Sequence, residues 1–176
     1  MIPLCVPEIR GNEWKYIKEC LDTNWVSSAG SFVDRFEKEF SRHLNAKKAI
    51  TTSNGTTALF LALKVLGIGE GDEVIVPSLT FIAPVNTIRY VGAEPVFVDV
   101  SRGTYVMDVD KVEELITPKT KAILPVHLYG HPVDMGKLLE IAKKYNLYII
   151  EDATESLGAL YKDKHVGTIG DIGCFS

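Results

Sequence analysis

Two periodicities divide the chain near Lys48. Before it, apolar positions recur at helical spacing: Trp14, Ile17 and Leu21 in one segment, then Phe32, Val33, Phe36, Phe40 and Leu44 in the next, with Lys15, Lys18 and Glu19 among the polar positions. This pattern predicts two amphipathic helices, over residues 12–22 and 32–44, joined by the small-residue loop Asn24–Ser31 around the large ring of Trp25. The first helix must lie on something, and the aromatic residues of the second are expected to pack into a core. Ser31 with Asp34 makes a weak capping pair for the second helix. Both helices precede the regular part of the chain, so they are expected on a flank or against a partner subunit.

From residue 48 to 176 the pattern changes to short apolar runs alternating with helical segments. Strands are predicted over Ala49–Thr52, Glu73–Val76, Pro95–Val100, Ala122–Val126 and Leu147–Ile150, and helices near Thr56–Leu66, Ala83–Tyr90, Val109–Ile116 and Met135–Tyr145. Alternation of this kind implies an α/β fold: a mainly parallel central sheet flanked by helices. Gly67–Asp72 and Thr117–Lys121 read as ordinary turns, and no linker long enough to separate two domains interrupts the series. The chain therefore reads as a single domain over 1–176. Gly170–Ser176 looks like the start of another strand where the chain stops, so the expectation is a truncated domain.

Composition narrows the function classes. The 176 residues are 46% apolar and 24% charged, with a net charge of −4 that offers no basic footprint for nucleic acid. No apolar run approaches the about 20 residues that span a bilayer, and the first residues show no signal-peptide pattern. Cys5, Cys20 and Cys174 are scattered and far from any zinc spacing, which implies no metal site and predicts reduced, mostly buried thiols in a cytoplasmic protein.

Candidate chemistry gathers at the strand ends, where ligands of parallel α/β sheets bind. Leu147–Ile150 is an apolar run that ends in Glu151 and Asp152, and a carboxylate at that depth is costly unless a cationic group meets it. Ser53-Asn54-Gly55-Thr56-Thr57 follows the first predicted strand and opens a helix, whose free N–H groups and dipole favour an anion, although Thr56 also reads as a plain N-cap. Pro77-Ser78-Leu79-Thr80-Phe81 places an aromatic ring in a loop, where it either stacks on a flat ligand or staples the following helix. His127, in Pro125-Val126-His127-Leu128-Tyr129-Gly130, is either a catalytic base, a cofactor contact or a satisfied structural histidine.

Together these residues suit a flat, phosphorylated, protonated heteroaromatic ring. The phosphate would lie on the Gly55–Thr57 helix start, Phe81 on one face of the ring and Asp152 at a ring nitrogen. That is the demand of pyridoxal 5'-phosphate (PLP), whose pyridinium acts as an electron sink. No lysine stands at a strand end to form a Schiff base.

The same stretches, taken in order, resemble the N-terminal part of the DegT/StrS-type sugar aminotransferases. The likeness runs from Ile2-Pro3-Leu4 and Trp25-Val26-Ser27-Ser28 through Ser53–Leu59, Pro77–Phe81, Val126–Gly130 and Glu151-Asp152-Ala153 to Gly170–Ser176. It implies the large domain of the aspartate-aminotransferase (fold type I) architecture. Gly55 and Thr56 would bind the cofactor phosphate, with Ser176 reaching it as well, Phe81 would stack on the ring, and Asp152 would pair with the ring nitrogen. The Schiff-base lysine would follow Ser176 by a few residues. The resemblance further implies a homodimer that moves an amino group from glutamate to a keto group on a nucleotide-linked sugar.

One departure stands out. Three residues after Asp152, where many members carry His or Gln, this chain has Glu155, expected to tune the cofactor site or to contact substrate. Two rival readings accompany the aminotransferase: a dehydratase relative that removes a sugar hydroxyl, and a non-catalytic domain that binds a phosphorylated ligand.

Overall fold

The computed structural model describes Met1 and residues 6–176. Ile2-Pro3-Leu4, which opens the family likeness, and Cys5 lie outside the described residues. The chain divides into two compact units, Met1–His43 with Lys47–Thr51, and Leu44–Ala46 with Thr52–Ser176.

The first unit carries α1 (Glu13–Asp22) and α2 (Ser31–His43). Asn24, in the left-handed region at φ 60°, ends the turn after α1. Helix α2 starts at Ser31 itself, so Ser31 is no cap; the Gly30 carbonyl accepts the N–H groups of Val33 and Asp34. The expected core is not formed by these aromatics. Neither helix contains a buried residue, and Trp14, Ile17, Leu21 and Phe36 are more than half exposed. The rings pair among themselves instead, Tyr16 with Phe32 and Phe36 with Phe40. Ala49–Thr52 is also not a strand. The Thr51 N–H and hydroxyl both bind Glu37, at 2.7 and 2.9 Å, and Ile50 faces outward, so a side chain takes the place of a ladder partner.

The second unit holds the alternation. Its elements are α3 (Gly55–Val65), β1 (Glu73–Pro77), α4 (Ile82–Tyr90), β2 (Glu94–Val98), β3 (Thr120–Ile123), α5 (Met135–Tyr145), β4 (Tyr148–Asp152), the short β5 (Leu160–Tyr161) and β6 (Lys164–His165), and β7 (Ile172–Cys174). Five strands form one sheet in the order β2-β1-β3-β4-β7, every neighbouring pair parallel. Helices cover the strands, which explains their near-continuous apolar runs. Ile75, Ile123, Leu124, Ile149 and Ile150 from the sheet pack with Leu59 and Leu63 of α3, Ile88 of α4 and Leu138 of α5 in a solvent-free core. After β1 the chain adds β2 on one side and then returns to place β3 on the other. The sheet order therefore reverses between β1 and β3, and crevices for ligands form at such switch points.

Three boundaries differ from the sequence pattern for local reasons. Val109–Ile116 is two 3-10 turns, Val109–Lys111 and Glu113–Leu115, the first capped by Asp108, whose side chain accepts the Asp110 N–H. The apolar residues Val109 and Val112 stand three apart, which suits that tighter spiral, and Pro118 soon ends it. Strand β3 starts at Thr120 and gives way after Ile123 to an irregular run, in which Val126 still bridges to Asp152. Strand β4 runs on through both acids, so Glu151 and Asp152 belong to the ladder rather than follow it.

Candidate cofactor site

Asp152 is the last residue of β4 and only 5% exposed. Its N–H donates to the Pro125 carbonyl at 2.9 Å, and its own carbonyl accepts the His127 N–H at 3.0 Å. One carboxylate oxygen, Oδ1, accepts the Thr154 N–H at 3.1 Å and the Thr154 hydroxyl at 2.6 Å. Among the described residues nothing donates to Oδ2. Burial raises the affinity of this carboxyl for its proton more than the two bonds from Thr154 lower it.

Asp152 lines a cavity of about 320 Å³ together with Gly55, Thr56, Phe81, Thr154, Glu155 and Ser176, over an apolar floor that includes Leu59, Val126 and Leu128. The opposite wall is the start of α3. Asn54, in an extended conformation, caps that helix through Oδ1, which accepts the Thr57 N–H at 2.9 Å and the Thr57 hydroxyl at 3.1 Å. Thr56 is therefore not the cap. The Asn54 carbonyl takes the Ala58 N–H. This leaves the Gly55 and Thr56 N–H groups as the open donors of the helix end.

Gly55 could not be another residue here. A Cβ on it would lie 2.9 Å from the Ser176 Cβ and 3.3 Å from the Thr154 hydroxyl, which would close the gap between the helix end and the strand ends. Phe81 stands at the N-cap position of α4 and is 70% exposed, so its ring staples nothing and presents a face. An open helix N-terminus, a bare ring and a buried carboxylate with one unengaged oxygen fit PLP: an anion, a flat heterocycle and a ring N–H each meet a partner.

His127 falls outside this cavity. Its ring is fully buried, Nδ1 accepts the Val133 N–H at 3.1 Å, and Nε2 stands 3.0 Å from Glu151 Oε2. An Nδ1 that accepts leaves the proton on Nε2, which donates to Glu151. Both nitrogens are used inside the fold, which corrects the expectation of a catalytic His127.

Its partner is Glu151, the first of the two acids that end the apolar run of β4. That carboxylate also accepts the N–H groups of Gly167 at 2.7 Å, Ile169 at 2.7 Å and Gly170 at 2.6 Å. Burial alone would raise its pKa, but the bonds from His127, Gly170 and Gly167 outweigh it and hold the group below the usual carboxylate range. The available signal was an acid directly before Asp152 at the end of an apolar strand: alternation sends adjacent side chains to opposite faces.

Glu155 is exposed at the cavity rim, where Oε2 accepts the Tyr129 N–H at 2.7 Å. Tyr129 sits in the left-handed region at φ 52°, so this carboxylate holds the Leu128–Gly130 turn. Cys174, level with Asp152 on β7, is buried, and burial together with the neighbouring carboxylate pushes its thiol up to about 12, which keeps it neutral. Cys174 and the partly buried Cys20 are both unpaired. A second cavity, of about 290 Å³, lies between the 101–110 loop and the start of α5; there Lys137 pairs with Asp110, and Asp134 accepts the Tyr161 hydroxyl. Among the described residues no group of three His, Cys, Asp or Glu is placed to hold a metal ion, and no helix is long and apolar enough to cross a membrane.

The fold that carries this cavity superposes on solved aminotransferase structures. The chain belongs to the DegT/DnrJ/EryC1/StrS aminotransferase family, which it matches over residues 7–176. It is 54% identical to GDP-perosamine synthase of Escherichia coli O157:H7, over 99% of this chain and 48% of that protein. The structure of an aminotransferase from Psychrobacter cryohalolentis superposes with a TM-score of 0.93 at 42% identity, over 97% of this chain and 43% of the other. An E. coli GDP-4-keto-6-deoxy-D-mannose-3-dehydratase, solved with bound hydrated PLP, gives 0.93 at 31% identity, over 99% and 46%. The chain thus spans about half the length of the curated relatives it matches.

Proposed function

We propose that this chain forms the cofactor-binding part of a PLP-dependent aminotransferase acting on nucleotide-linked keto sugars, with glutamate as the amino donor. The observation that carries the reading is that buried Asp152, whose Oδ2 takes no hydrogen bond among the described residues, lines one cavity with the open N-terminus of α3. Bound PLP supplies the electron sink for chemistry at the amino-bearing carbon.

The chain's own residues bind and orient that group. The Gly55 and Thr56 N–H groups and the Ser176 hydroxyl receive the phosphate, and Phe81 covers one face of the ring. Asp152 accepts the proton-bearing ring nitrogen, and that cation in turn favours the ionised carboxylate that burial disfavours. The leucine, valine and alanine side chains of the cavity exclude water from the ring. Glu155, tied to the Tyr129 turn, sets the rim on the side where substrate enters. Among the described residues, no lysine lines this cavity.

The likeness to GDP-perosamine synthase supports the sugar class. The equal structural likeness to a dehydratase supports a second reading, in which the same site removes a sugar hydroxyl. We also infer a homodimer, supported by the large apolar side chains that α1 leaves exposed, and a reducing cytoplasmic setting, supported by the unpaired Cys20 and Cys174.

The test uses the full-length protein with PLP, glutamate and GDP-4-keto-6-deoxy-D-mannose, read by mass spectrometry. An amino sugar formed with an equivalent of 2-oxoglutarate supports the aminotransferase. A sugar that has lost a hydroxyl and gained no nitrogen supports the dehydratase. PLP binding with neither product, across several nucleotide-linked keto sugars, overturns both in favour of a ligand-binding role.

A further inference from the structure

We propose that Thr154 is the positioning residue for Asp152: its side-chain hydroxyl and backbone N–H both bind Oδ1, which leaves Oδ2 as the oxygen available to a ligand in the cavity that both residues line. The inference rests on the PLP reading and adds to it a cavity-lining residue that acts through Asp152.

A carboxylate's terminal torsion is broad and its two oxygens are equivalent, so a buried Asp at a strand end does not by itself choose which oxygen meets a ligand. Two donors on one oxygen remove that equivalence. The backbone N–H of residue 154 would bind Oδ1 whatever its side chain, as in an ordinary Asx turn. The hydroxyl is what threonine adds, and at 2.6 Å it is a short, charge-assisted contact. The branched Cβ restricts that hydroxyl to few rotamers. It also lies 3.3 Å from where a Gly55 Cβ would stand, so it reaches from the strand end to the α3 wall of the same cavity.

The same bond favours the charged form of Asp152. The groups facing this carboxyl are His127 from the run after β3, Cys174 from β7, and Thr154 and Glu155 from its own loop. The His127 ring is committed to Glu151 and Val133, the Cys174 thiol is neutral, and Glu155 is a like charge. Among the described residues, Thr154 provides the only hydrogen bonds to the carboxylate.

The experiment compares T154V, which keeps the shape and loses the hydroxyl, with T154S, which keeps the hydroxyl, in the full-length protein. PLP dissociation is measured by absorbance titration. The Asp152 titration midpoint is followed by carboxyl carbon NMR in the cofactor-free protein, with D152N to assign the signal. T154V is expected to weaken PLP binding about tenfold, as loss of one hydrogen bond to a charged group does, and to raise the Asp152 midpoint. T154S is expected to match the wild type in both. The proposal is overturned if T154V matches the wild type in either reading, or if T154S behaves as T154V. Absence of PLP binding in the wild type would sink the cofactor reading instead, and the Asp152 midpoint would still decide whether Thr154 controls that carboxyl.

Discussion

At Gly55 a single methyl group would meet the Ser176 Cβ at 2.9 Å, so one of the two segments must shift to admit it. G55A is therefore expected to weaken PLP binding by at least about tenfold, the cost of a contact misplaced by a fraction of an ångström at an anion site, while the fold stays intact. Absorbance titration together with far-UV circular dichroism checks both halves. Asp152 carries a different signature. Its carboxyl is raised above the ordinary aspartate value, and in an unfolded chain it would ionise near about 3.9. Below that pH both states are protonated and Asp152 contributes nothing. As pH rises, the unfolded chain loses its proton first, so Asp152 subtracts stability, fully so above its raised folded value. In the cofactor-free protein D152N is expected to melt higher than the wild type at pH 7–8 and to lose that advantage below about pH 4. The same variant should fail to bind PLP tightly. A higher melting point with weaker binding is the pattern of a site strained for use.

Among the elements, β4 and the loop that leads into β7 are joined through Glu151, which gathers three backbone N–H groups and the His127 ring. E151Q keeps the shape but offers the loop an NH2 where it needs an acceptor. It is expected to cost about 3 kcal/mol at pH 7, as leaving buried donors of a charged acceptor unsatisfied does. Because the Glu151 carboxyl is depressed, its contribution is present above the ordinary value of about 4.3 and fades as pH falls through the folded pKa. Urea unfolding of the two proteins should therefore converge in acid. This pairing also shows where the sequence stopped being legible. The parallel alternation could be read because buried strands are written as apolar runs; Gly55 and Thr56 were legible as a helix start and Phe81 as a ring in a loop after a strand, whereas Glu155 and Ser176 entered only through the family resemblance. His127 looked like chemistry because its partner lies 24 residues away, a distance that no local pattern spans. Ala49–Thr52 carried strand-forming residues, but pairing is a tertiary fact, and Glu37 claimed Thr51 first. The β5–β6 hairpin was missed since its strands are two residues long and its turn, Lys162-Asp163 at φ 47° and 65°, lacks the usual Asn-Gly.

For the whole molecule, the uneven placement of apolar surface matters most. The solvent-free core lies in the second unit, while α1 buries no residue and leaves Trp14, Ile17 and Leu21 more than half exposed. A contiguous patch of this kind usually marks an interface. If the proposed homodimer forms through this face, the double variant W14S/L21S of the full-length protein is expected to sediment as a monomer and the wild type as a dimer. An unchanged dimer would show that the second copy docks elsewhere.

The order of the two acids on β4 has a consequence for how such proteins diverge. Neighbouring residues of a strand look in opposite directions, so Glu151 serves the scaffold and Asp152 serves the cavity. Exchanging them, E151D with D152E, leaves composition, net charge and hydropathy untouched. It would nonetheless hand the loop a carboxylate too short to reach its amides and the cavity one too long to fit. Any comparison that scores acid against acid would rate that double change as silent, and selection would treat it as a loss of both roles.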